Sequence, residues 1–385
     1  MLTPFIDIIS QRRAIGPAID AAILSVTRSG QFIMGPEVHA LETALAKFGQ
    51  ARCALSCSNG TDALTLLMRA WGIGPGDGVF CPSFTFAATA ETIALTGASP
   101  VFVDIRPDTL TIDPAHLLSA IEDVTRNSIL KPKAIIAVDL FGQPANYPIL
   151  RAIADAHQLK LIADSAQGFG CTLHERHPIY WADATTISFF PAKPLGCYGD
   201  GGAVLVKDDE LYDHLTSLRV HGQATARDIE STGFAHDPKY LNLRLGMTGR
   251  LDTIQAAVLL EKLKIFDKEI ELRNRVSDRY TSGLAGAVSA TPAVIEGGRS
   301  VWAQYTIEHR NRDALAAHLK SRGIPTAIYY PIPLHRQPAY AGYRTGPGGL
   351  PVSDAKAHTV ISLPMGPYLD DGVQSQIIGA VHEFR

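Results

Sequence analysis

The sequence has no long apolar run, no long basic run and few cysteines. No apolar stretch is long enough for a membrane-spanning helix, and the first residues lack the basic-then-apolar layout of a signal peptide. With 35 basic and 38 acidic residues, the net charge is only −3, so neither a nucleic acid nor a membrane is an expected partner. Five cysteines are an odd number and do not suit a disulfide framework. We therefore expect a protein of the reduced cytoplasm.

Two nucleotide-binding patterns and a metal site are also missing. The pattern GxxxxGK does not occur, which argues against a P-loop nucleotidase, and no GxGxxG follows a predicted strand, which argues against a nicotinamide enzyme. Cys171, His174 and His177 have a spacing that could suggest zinc. However, HERH is typical of an exposed hairpin turn between short strands, and a fourth ligand is missing, so no metal is expected.

What the sequence does contain is a regular alternation of strand-like and helix-like segments from about residue 50 to 205, which predicts an α/β sheet that is mostly parallel. The 385 residues, 46% of them hydrophobic, allow two domains. A helical stretch from Leu251 to Leu284, expected to break or bend once, leads to shorter elements. We expect a large domain with an N-terminal arm over 1–250, then a connecting helix and a small α+β domain over 251–385.

Two of the predicted buried strands end in residues that suit one cofactor. Asp164 ends the strand in LIADSAQGFG, and Lys193 follows the strand in ATTISFFPAK. A lysine amine can bond to the aldehyde of pyridoxal 5′-phosphate (PLP), while a carboxylate keeps the ring nitrogen protonated. Apolar surroundings predict a desolvated Lys193 with a lowered pKa, and a surface lysine in a loop is the alternative.

Further candidate contacts lie around these strands. In SNGTDAL, the turn from Ser58 to Thr61 lies between a predicted strand and a helix N-terminus, which together suit an anion, although a plain capped connection is the alternative. His221, in RVHGQ, is a candidate catalytic residue, and a structural histidine near a loop is the alternative. The remaining candidates for the phosphate or the ring, each with a structural role as the alternative, are Ser188, Gln167, Phe84 and Phe86.

Six segments, taken together and in this order, resemble one family: SNGTDAL, CPSFTFAATA, DSAQGFG, SFFPAKPLGCYGDGGA, GRLDTIQAAVL and YYPIPLHRQPAY. They are similar to the sugar-nucleotide aminotransferases of the DegT–StrS family, and most of all to its branch acting on UDP-2-acetamido-2-deoxy-3-oxo-glucuronate. The resemblance covers nearly the whole chain. It implies a PLP-dependent transferase of fold type I, like aspartate aminotransferase, with a seven-stranded type of sheet. It also implies a homodimer with active sites between the subunits.

The resemblance implies a role for each candidate residue. Lys193 matches the lysine that bonds to the cofactor, and Asp164 matches the partner of the ring nitrogen. Phe86 falls where the family places an aromatic ring over the cofactor, and Gln167 falls near the cofactor ring. The residues that match phosphate contacts are Gly60, Thr61 and Ser188.

The chain departs from the family pattern at two positions. Thr248 stands where the family has an asparagine that reaches the phosphate from the other subunit. Two residues later, Arg250 would meet the substrate and could pair with a uronic acid carboxylate. Tyr329 and Tyr330 stand where this branch has His-Tyr, and with His221 they complete the expected substrate site.

The implied reaction is amino transfer from an amino acid, expected to be glutamate, to a nucleotide-linked keto-sugar. One alternative is the same reaction on a dTDP-3- or 4-keto-6-deoxy sugar. A second is a PLP-dependent sugar dehydratase, but those have a histidine in place of Lys193. A third is a non-catalytic regulator that binds PLP, and the presence of Lys193, Asp164 and Gln167 argues against it.

Overall fold

The structure is a computed structural model that describes residues 4–232 and 240–384 of the chain. In chain order, the strands of these residues are β1 (Cys53–Cys57), β2 (Asp77–Pro82), β3 (Ser99–Val103), β4 (Lys131–Val138), β5 (Lys160–Asp164), β6 (Thr172–Leu173), β7 (Ala184–Ser188), β8 (Gly202–Val206), β9 (Gly298–Arg299), β10 (Tyr305–Glu308), β11 (Arg344–Thr345) and β12 (Val360–Leu363).

The helices of the described residues surround these strands or follow them in the chain. They are α1 (Ile8–Ser29), α2 (Pro36–Phe48), α3 (Gly60–Ala70), α4 (Ala88–Leu95), α5 (Pro114–Asn127), α6 (Tyr147–Ala156), α7 (Asp209–Leu218), α8 (Ala226–Thr232), α9 (Thr253–Gly283), α10 (Arg312–Ser321), α11 (Pro351–Thr359) and α12 (Asp371–His382). None of these helices is both long and apolar enough to cross a membrane.

A large, mostly parallel sheet organises the described part of the chain. Eight strands lie in the order β1-β8-β7-β5-β4-β2-β3-β11, and β8 runs against the other seven. Helices α3, α4 and α7 cover one face, and α5 and α6 cover the other, which explains the continuous apolar runs of the central strands. The predicted α/β fold class is confirmed. Seven strands come from residues 53–206, and β11 is an eighth, added from the C-terminal part.

The long helix α9 differs from the sequence prediction. It runs for 31 residues as one unbroken helix, so the expectation of a break between Leu251 and Leu284 is wrong, while a bend stays a prediction. Side chains of α9 share a buried cluster with α2, and α1 also lies along it. Such packing stabilises a long helix, because most of the stability of a helix in a protein comes from tertiary contacts and not from its intrinsic propensity.

The C-terminal residues contribute to two separate cores. Strands β10 and β12 pair with each other and pack with α10 and α12 in a cluster around Tyr280 and Tyr305. Residues 334–354 lie instead against the large sheet, where β11 pairs with β3 and Asp104 accepts hydrogen bonds from the N–H groups of Val352 (2.9 Å) and Ser353 (2.8 Å). The predicted domain boundary at residue 250 lies just before α9 and stays a prediction.

Candidate active site

The polar residues predicted for the site lie at one edge of the sheet. Asp164 is the last residue of β5 and Ser188 is the last residue of β7, and the two strands are parallel neighbours. The turn before α3 follows β1, which runs in the same direction. Because the carboxyl ends of parallel strands share one edge, the fold brings these side chains to the same region, where open α/β sheets bind ligands.

Asp164 is a buried carboxylate held by two hydrogen bonds. Its Oδ2 accepts from the hydroxyl of Thr89 at 3.2 Å, and its Oδ1 accepts from the N–H of Ala166 at 3.2 Å. Burial raises the pKa of Asp164, and the hydrogen bond from Ala166, the charge of Lys193 and the hydrogen bond from Thr89 all oppose that rise. No basic side chain of the described residues forms an ion pair with Asp164. The carboxylate is therefore available to a cationic N–H donor of a ligand.

Lys193 is an amine held out of water beside this carboxylate. Its side chain is half-buried, and its backbone N–H donates to the carbonyl of Phe190 at 2.8 Å. Among the described residues, its Nζ has no hydrogen bond. Desolvation lowers the pKa of Lys193, while the charge of Asp164 raises it. The result favours a neutral, reactive amine, as the sequence predicts for a lysine that bonds to an aldehyde.

The loop that carries Lys193 is closed on itself and anchored to α9. The N–H of Phe189 donates to the carbonyl of Gly201, and the N–H of Cys197 donates to the carbonyl of Phe189, both at 2.7 Å. From α9, the Oε1 of Gln255 accepts from the N–H of Tyr198 at 2.8 Å, and the Nζ of Lys262 donates to the carbonyl of Gly196 at 2.6 Å. These bonds fix the loop on either side of Lys193.

The start of α3 is built to approach Ser188 closely. A Cβ atom on Gly60 would lie 2.8 Å from the Cβ of Ser188, so only glycine allows this approach. Asn59 caps the helix by accepting from the N–H of Asp62 at 2.8 Å. The N–H groups of Gly60 and Thr61, in the first turn, have no carbonyl partner inside the helix. With the nearby Ser188 hydroxyl, they form a set of donors suited to a phosphate.

Gln167 is tied to the tyrosine segment from the C-terminal part. Its Oε1 accepts from the N–H of Phe141 at 2.8 Å, and its Nε2 donates to the hydroxyl of Tyr330 at 3.1 Å. Tyr330 also meets the ring of Phe84 edge-on, with ring centres 6.0 Å apart. Burial raises the pKa of Tyr330. Tyr329 is half-buried beside it, with ring centres 5.8 Å apart. The structure thus brings Gln167, Tyr329 and Tyr330 together.

Phe86, which the resemblance places over the cofactor, is 58% exposed. It lies in the loop between β2 and α4, two residues after the fully buried Phe84. The described residues leave the Phe86 ring open to solvent, where it is free to cover a ligand. Phe190, in the loop of Lys193, is 52% exposed in the same way.

His221, Thr248 and Arg250 form a second group of predicted site residues. The Nε2 of His221 lies 2.7 Å from the hydroxyl of Thr248, and the N–H of His221 donates to the carbonyl of Met247 at 3.0 Å. Among the described residues, the guanidinium of Arg250 has no ion pair and no side-chain hydrogen bond. No contact of the described chain joins this group to Lys193 or Asp164.

The segment HERH forms a tight turn after β6, but within the described residues no strand follows it directly and His177 is buried, so the expected exposed hairpin between two strands is only partly present. His174 and Glu175 have left-handed backbone conformations with φ values of 48° and 61°, and Leu173 pairs with Arg176 across the turn. His177 is buried, and desolvation lowers its pKa to about 3. The described residues contain no group of three or more histidine, cysteine or acidic side chains that could hold a metal ion.

The sequence reasoning misses one residue of the site, Thr89, and a second buried carboxyl near it, Asp139. Thr89, in the first turn of α4, binds Asp164, and nothing local marks its role. Asp139 directly follows β4 and is fully buried, with its carboxyl group bound by the hydroxyls of Ser165 and Tyr147. Burial raises the pKa of Asp139 to about 7. An acidic residue at the end of an apolar strand is the same signal that identifies Asp164, so Asp139 could have been found.

The unpaired polar groups of these residues match the three functional groups of PLP. A buried carboxylate lacks a cationic partner, an amine lacks a hydrogen-bond acceptor, and the first turn of α3 offers unpaired N–H donors beside Ser188. The ring nitrogen, the aldehyde and the phosphate of PLP need one of these groups each. Asp164, Lys193 and Gly60 are therefore the residues that would hold its three ends.

Comparison with known proteins agrees with this chemistry. The DegT/DnrJ/EryC1/StrS aminotransferase family model matches residues 13–382. The UDP-2-acetamido-2-deoxy-3-oxo-D-glucuronate aminotransferase of Pseudomonas aeruginosa is 46% identical over 366 residues, which cover 95% of this chain and 96% of that protein.

Solved structures show the same similarity. A DegT DnrJ EryC1 StrS aminotransferase from Brucella abortus is 46% identical, with a TM-score of 0.94 and 99% of each chain covered. A sugar aminotransferase from Streptococcus pneumoniae, solved in its PLP form, is 26% identical, with a TM-score of 0.85 and 95% of each chain covered. The chain belongs to the DegT/DnrJ/EryC1/StrS aminotransferase family, and its cofactor is PLP.

Proposed function

We propose that this aminotransferase moves an amino group from glutamate to a nucleotide-linked keto-sugar, and that the sugar is a UDP-2-acetamido-3-keto-uronic acid. The product would be an amino sugar for polysaccharide biosynthesis. The observation that carries the proposal is that Lys193, an amine without a hydrogen bond among the described residues, lies close enough to the buried carboxylate of Asp164 for each charge to shift the pKa of the other group. The 46% identity to an enzyme named for such a substrate supports the choice of sugar.

Bound PLP supplies an aldehyde that accepts amino groups and a ring that withdraws electrons from the neighbouring carbon. Lys193 would hold the cofactor until an amino acid takes its place. The lowered pKa of Lys193 then leaves a neutral amine that takes the proton from Cα of the donor as a general base. In the second half of the reaction, the same group would return a proton to the sugar carbon that receives the amino group.

Asp164 has the task of holding a proton on the ring nitrogen. Its hydrogen bonds from Thr89 and Ala166 leave room on a carboxylate, which has about four acceptor positions, for one more donor. Because the site is buried, a charge pair with a cationic N–H is much stronger there than in water. Asp164 therefore would keep the ring electron-poor throughout the reaction.

Arg250 is the residue we assign to the substrate carboxylate. Its guanidinium is half-buried and has no partner among the described residues, which suits recognition of an external anion. An arginine can hold a carboxylate with two parallel hydrogen bonds, and this geometry distinguishes a uronic acid from a sugar without a carboxylate. Tyr329, Tyr330 and His221 complete the proposed substrate site.

A homodimer with shared sites accounts for the separation of the Arg250 group from Lys193. Exposed apolar side chains occur near both groups in the chain. Phe190 (52% exposed) is in the loop of Lys193, Phe86 (58%) is the residue expected over the cofactor, and Leu245 (90%) is three residues before Thr248. A second copy of the chain would cover them and bring Thr248 and Arg250 to the cofactor of its partner. We also place the enzyme in the cytoplasm, where its five free cysteines would stay reduced.

The reaction is tested with purified protein, glutamate and UDP-linked keto-sugars, by following 2-oxoglutarate and the amino sugar by mass spectrometry. A dTDP-linked keto-sugar serves as the competing substrate. We expect turnover with the UDP-uronic acid, none in Lys193→Ala, and unchanged turnover in Lys264→Ala, an exposed control paired with Glu261. Turnover by Lys193→Ala would contradict the assignment of the lysine, and preference for the dTDP-sugar would contradict the assignment of the substrate.

Shared sites are tested by mixing two inactive variants. Lys193→Ala and Arg250→Ala each lose activity with the uronic acid when assayed alone. If Arg250 serves the site of the partner subunit, random re-association should restore about one quarter of the wild-type activity, because half of the dimers then contain one intact site. If both residues serve the same subunit, mixing restores nothing.

A further inference from the structure

Ser83, His335 and Asp354 form a continuous chain of polar contacts between the large sheet and the C-terminal part. The hydroxyl of Ser83 lies 2.7 Å from Nδ1 of His335, and Nε2 of His335 lies 3.3 Å from Oδ1 of Asp354. Ser83 is fully buried and directly follows β2. Asp354 is also held by the guanidinium of Arg336, at 2.7 Å and 3.1 Å.

The backbone adds two hydrogen bonds between the same two segments. The N–H of His335 donates to the hydroxyl oxygen of Ser83 at 3.1 Å, and the N–H of Leu334 donates to the carbonyl of Ser83 at 2.9 Å. The Ser83 hydroxyl can either donate to Nδ1 of His335 or accept from it. When it donates, a neutral His335 carries its proton on Nε2, which lies 3.3 Å from Oδ1 of Asp354.

The three residue types are those of a hydrolytic triad, but the geometry excludes that chemistry. Ser83 has no exposed surface and cannot reach a substrate. Its hydroxyl faces Nδ1, whereas a catalytic serine faces Nε2 and leaves Nδ1 to the acid. The contacts instead join two segments of the chain that are 252 residues apart.

Both joined segments carry aromatic residues of the candidate active site. Ser83 directly precedes Phe84, whose ring packs edge-on against Tyr330. His335 follows Tyr329 and Tyr330 in the chain, within a short helical turn over Leu334–Arg336, and the hydroxyl of Tyr330 accepts from Nε2 of Gln167. The contact of Ser83 with His335 and the contact of Phe84 with Tyr330 therefore close one loop of interactions beside the site.

We propose that His335 is a positioning residue, which through Ser83 fixes the tyrosine segment to the end of β2 and so keeps Tyr330 on Gln167. His335 itself touches neither Gln167 nor the other predicted cofactor contacts in the described residues. Its effect on the reaction passes through Tyr329 and Tyr330. This inference rests on the proposed function only where it concerns the substrate, since Tyr330 contacts Gln167 in the protein without any ligand.

The test compares His335→Leu, His335→Asn and Ser83→Ala. Asparagine places an amide oxygen close to the position of Nδ1 and keeps an acceptor for Ser83, whereas leucine keeps none. His116→Leu is the matched control. The Nδ1 of His116 accepts from the N–H of Asp104 at 2.9 Å, and its Nε2 lies 3.0 Å from the carbonyl of Pro347, so it also joins the C-terminal part to the large sheet.

The first readout is hydrogen exchange of the Leu334 and His335 amides in the protein without cofactor, and the second is the dissociation constant for PLP. We expect His335→Leu and Ser83→Ala to exchange these amides about tenfold faster and to bind PLP several-fold more weakly, because a buried hydrogen bond is lost. His335→Asn should restore both values to within about twofold of the wild type. His116→Leu should lower the melting temperature without changing either readout.

The activity assay adds a third readout. Loss of the link should raise KM for the keto-sugar about tenfold and lower kcat less, since Lys193 and Asp164 stay in place. Equal behaviour of His335→Leu and His116→Leu, or failure of asparagine to restore the two binding and exchange values, would overturn the proposal. If the keto-sugar is not the substrate, the exchange and PLP results still decide the role of His335.

Discussion

The hydroxyl of Thr89 donates a hydrogen bond to Oδ2 of Asp164 across 75 residues of sequence. Thr89 is almost fully buried, and this bond lowers the pKa of Asp164 against the effect of burial. Thr89→Val keeps the shape of the side chain and removes the donor. We expect the pKa of Asp164 to rise and the turnover number to fall roughly tenfold or more, since a hydrogen bond to a charged group contributes about 1.5–3 kcal/mol.

Thr89→Ser is the control for this prediction, because it keeps the donor and removes only a methyl group. It should retain most of the activity of the wild type. The pH dependence of the absorbance of bound PLP measures the effect, since it follows the protonation of the bond between PLP and Lys193, whose pKa depends on the ring charge that Asp164 supports. An unchanged profile in Thr89→Val would show that the threonine does not act on Asp164.

The charge of Asp164 also sets the reactivity of Lys193. Asp164 raises the pKa of Lys193, and desolvation lowers it more. Asp164→Asn removes the opposing charge, so that the pKa of Lys193 falls further and a larger fraction of the amine is neutral at a given pH. Labelling of Lys193 by an amine-reactive reagent in the cofactor-free protein should become roughly threefold faster or more at neutral pH, since each pKa unit changes the neutral fraction tenfold.

Asp139→Asn is the matched control for this labelling experiment. Asp139 is a second buried carboxyl at the same edge of the sheet, but it does not contribute to the pKa of Lys193. Its replacement should leave the labelling rate of Lys193 unchanged. Equal acceleration in both variants would mean that the labelling rate reports loosening of the site and not the charge of Asp164.

Gly60 tests the close approach of α3 to Ser188. In Gly60→Ala the new Cβ would lie 2.8 Å from the Cβ of Ser188, so the first turn of α3 has to move away. We expect the affinity for PLP to fall at least tenfold, because the N–H donors of this turn lose their position relative to a phosphate. Isothermal titration of the cofactor-free protein with PLP measures the change.

Gly379→Ala provides the comparison for Gly60. Gly379 lies inside α12, and a Cβ atom there meets nothing within 4 Å. Alanine should stabilise the protein by about 0.5–1 kcal/mol through helix propensity and leave PLP affinity unchanged. If Gly60→Ala bound PLP as tightly as Gly379→Ala, the first turn of α3 could not be the phosphate site.

The sequence predicts those parts of the site that lie at the ends of strands. An apolar segment followed by Asp164, and another followed by Lys193, signal buried strands that deliver polar groups to one edge, and the confirmed parallel sheet has that arrangement. The roles of the individual site residues stay predictions. The contacts of Thr89 with Asp164 and of Tyr330 with Gln167 span 75 and 163 residues, and no local pattern encodes them.

The same limit explains the wrong expectation for α9. Its length and composition alone favour a break, because helices of 31 residues are uncommon in globular proteins. Buried positions continue along the helix from Thr253 to Tyr280, first against the large domain and then in the C-terminal core. The packing partners, α1, α2 and the C-terminal elements, lie elsewhere in the sequence, so the apolar pattern of α9 alone does not reveal them.

Lys262, on α9, gives a prediction for the pH dependence of stability. It is 1% exposed, its Nζ binds the carbonyl of Gly196, and the same atom lies 4.5 Å from the ring centre of Tyr198. Desolvation lowers its pKa from 10.5 to about 8, although the charges of Glu269 and Cys197 oppose the shift. Between these two pH values the unfolded chain binds more protons than the folded one, so the contribution of Lys262 to the free energy of unfolding rises with pH in this window.

Lys262→Met removes that rise. The free energy of unfolding of the variant, minus that of the wild type, should fall by about 3 kcal/mol between pH 8 and 10.5, since each pKa unit corresponds to about 1.4 kcal/mol. Urea unfolding of the cofactor-free proteins measures the difference. Lys264→Met, on the same helix but exposed and paired with Glu261, is the control, and a fall of the same size there would show that the change does not come from the burial of Lys262. A flat difference for Lys262→Met would show that the amine beneath the Lys193 loop titrates normally, and that the loop is not held by a desolvated cation.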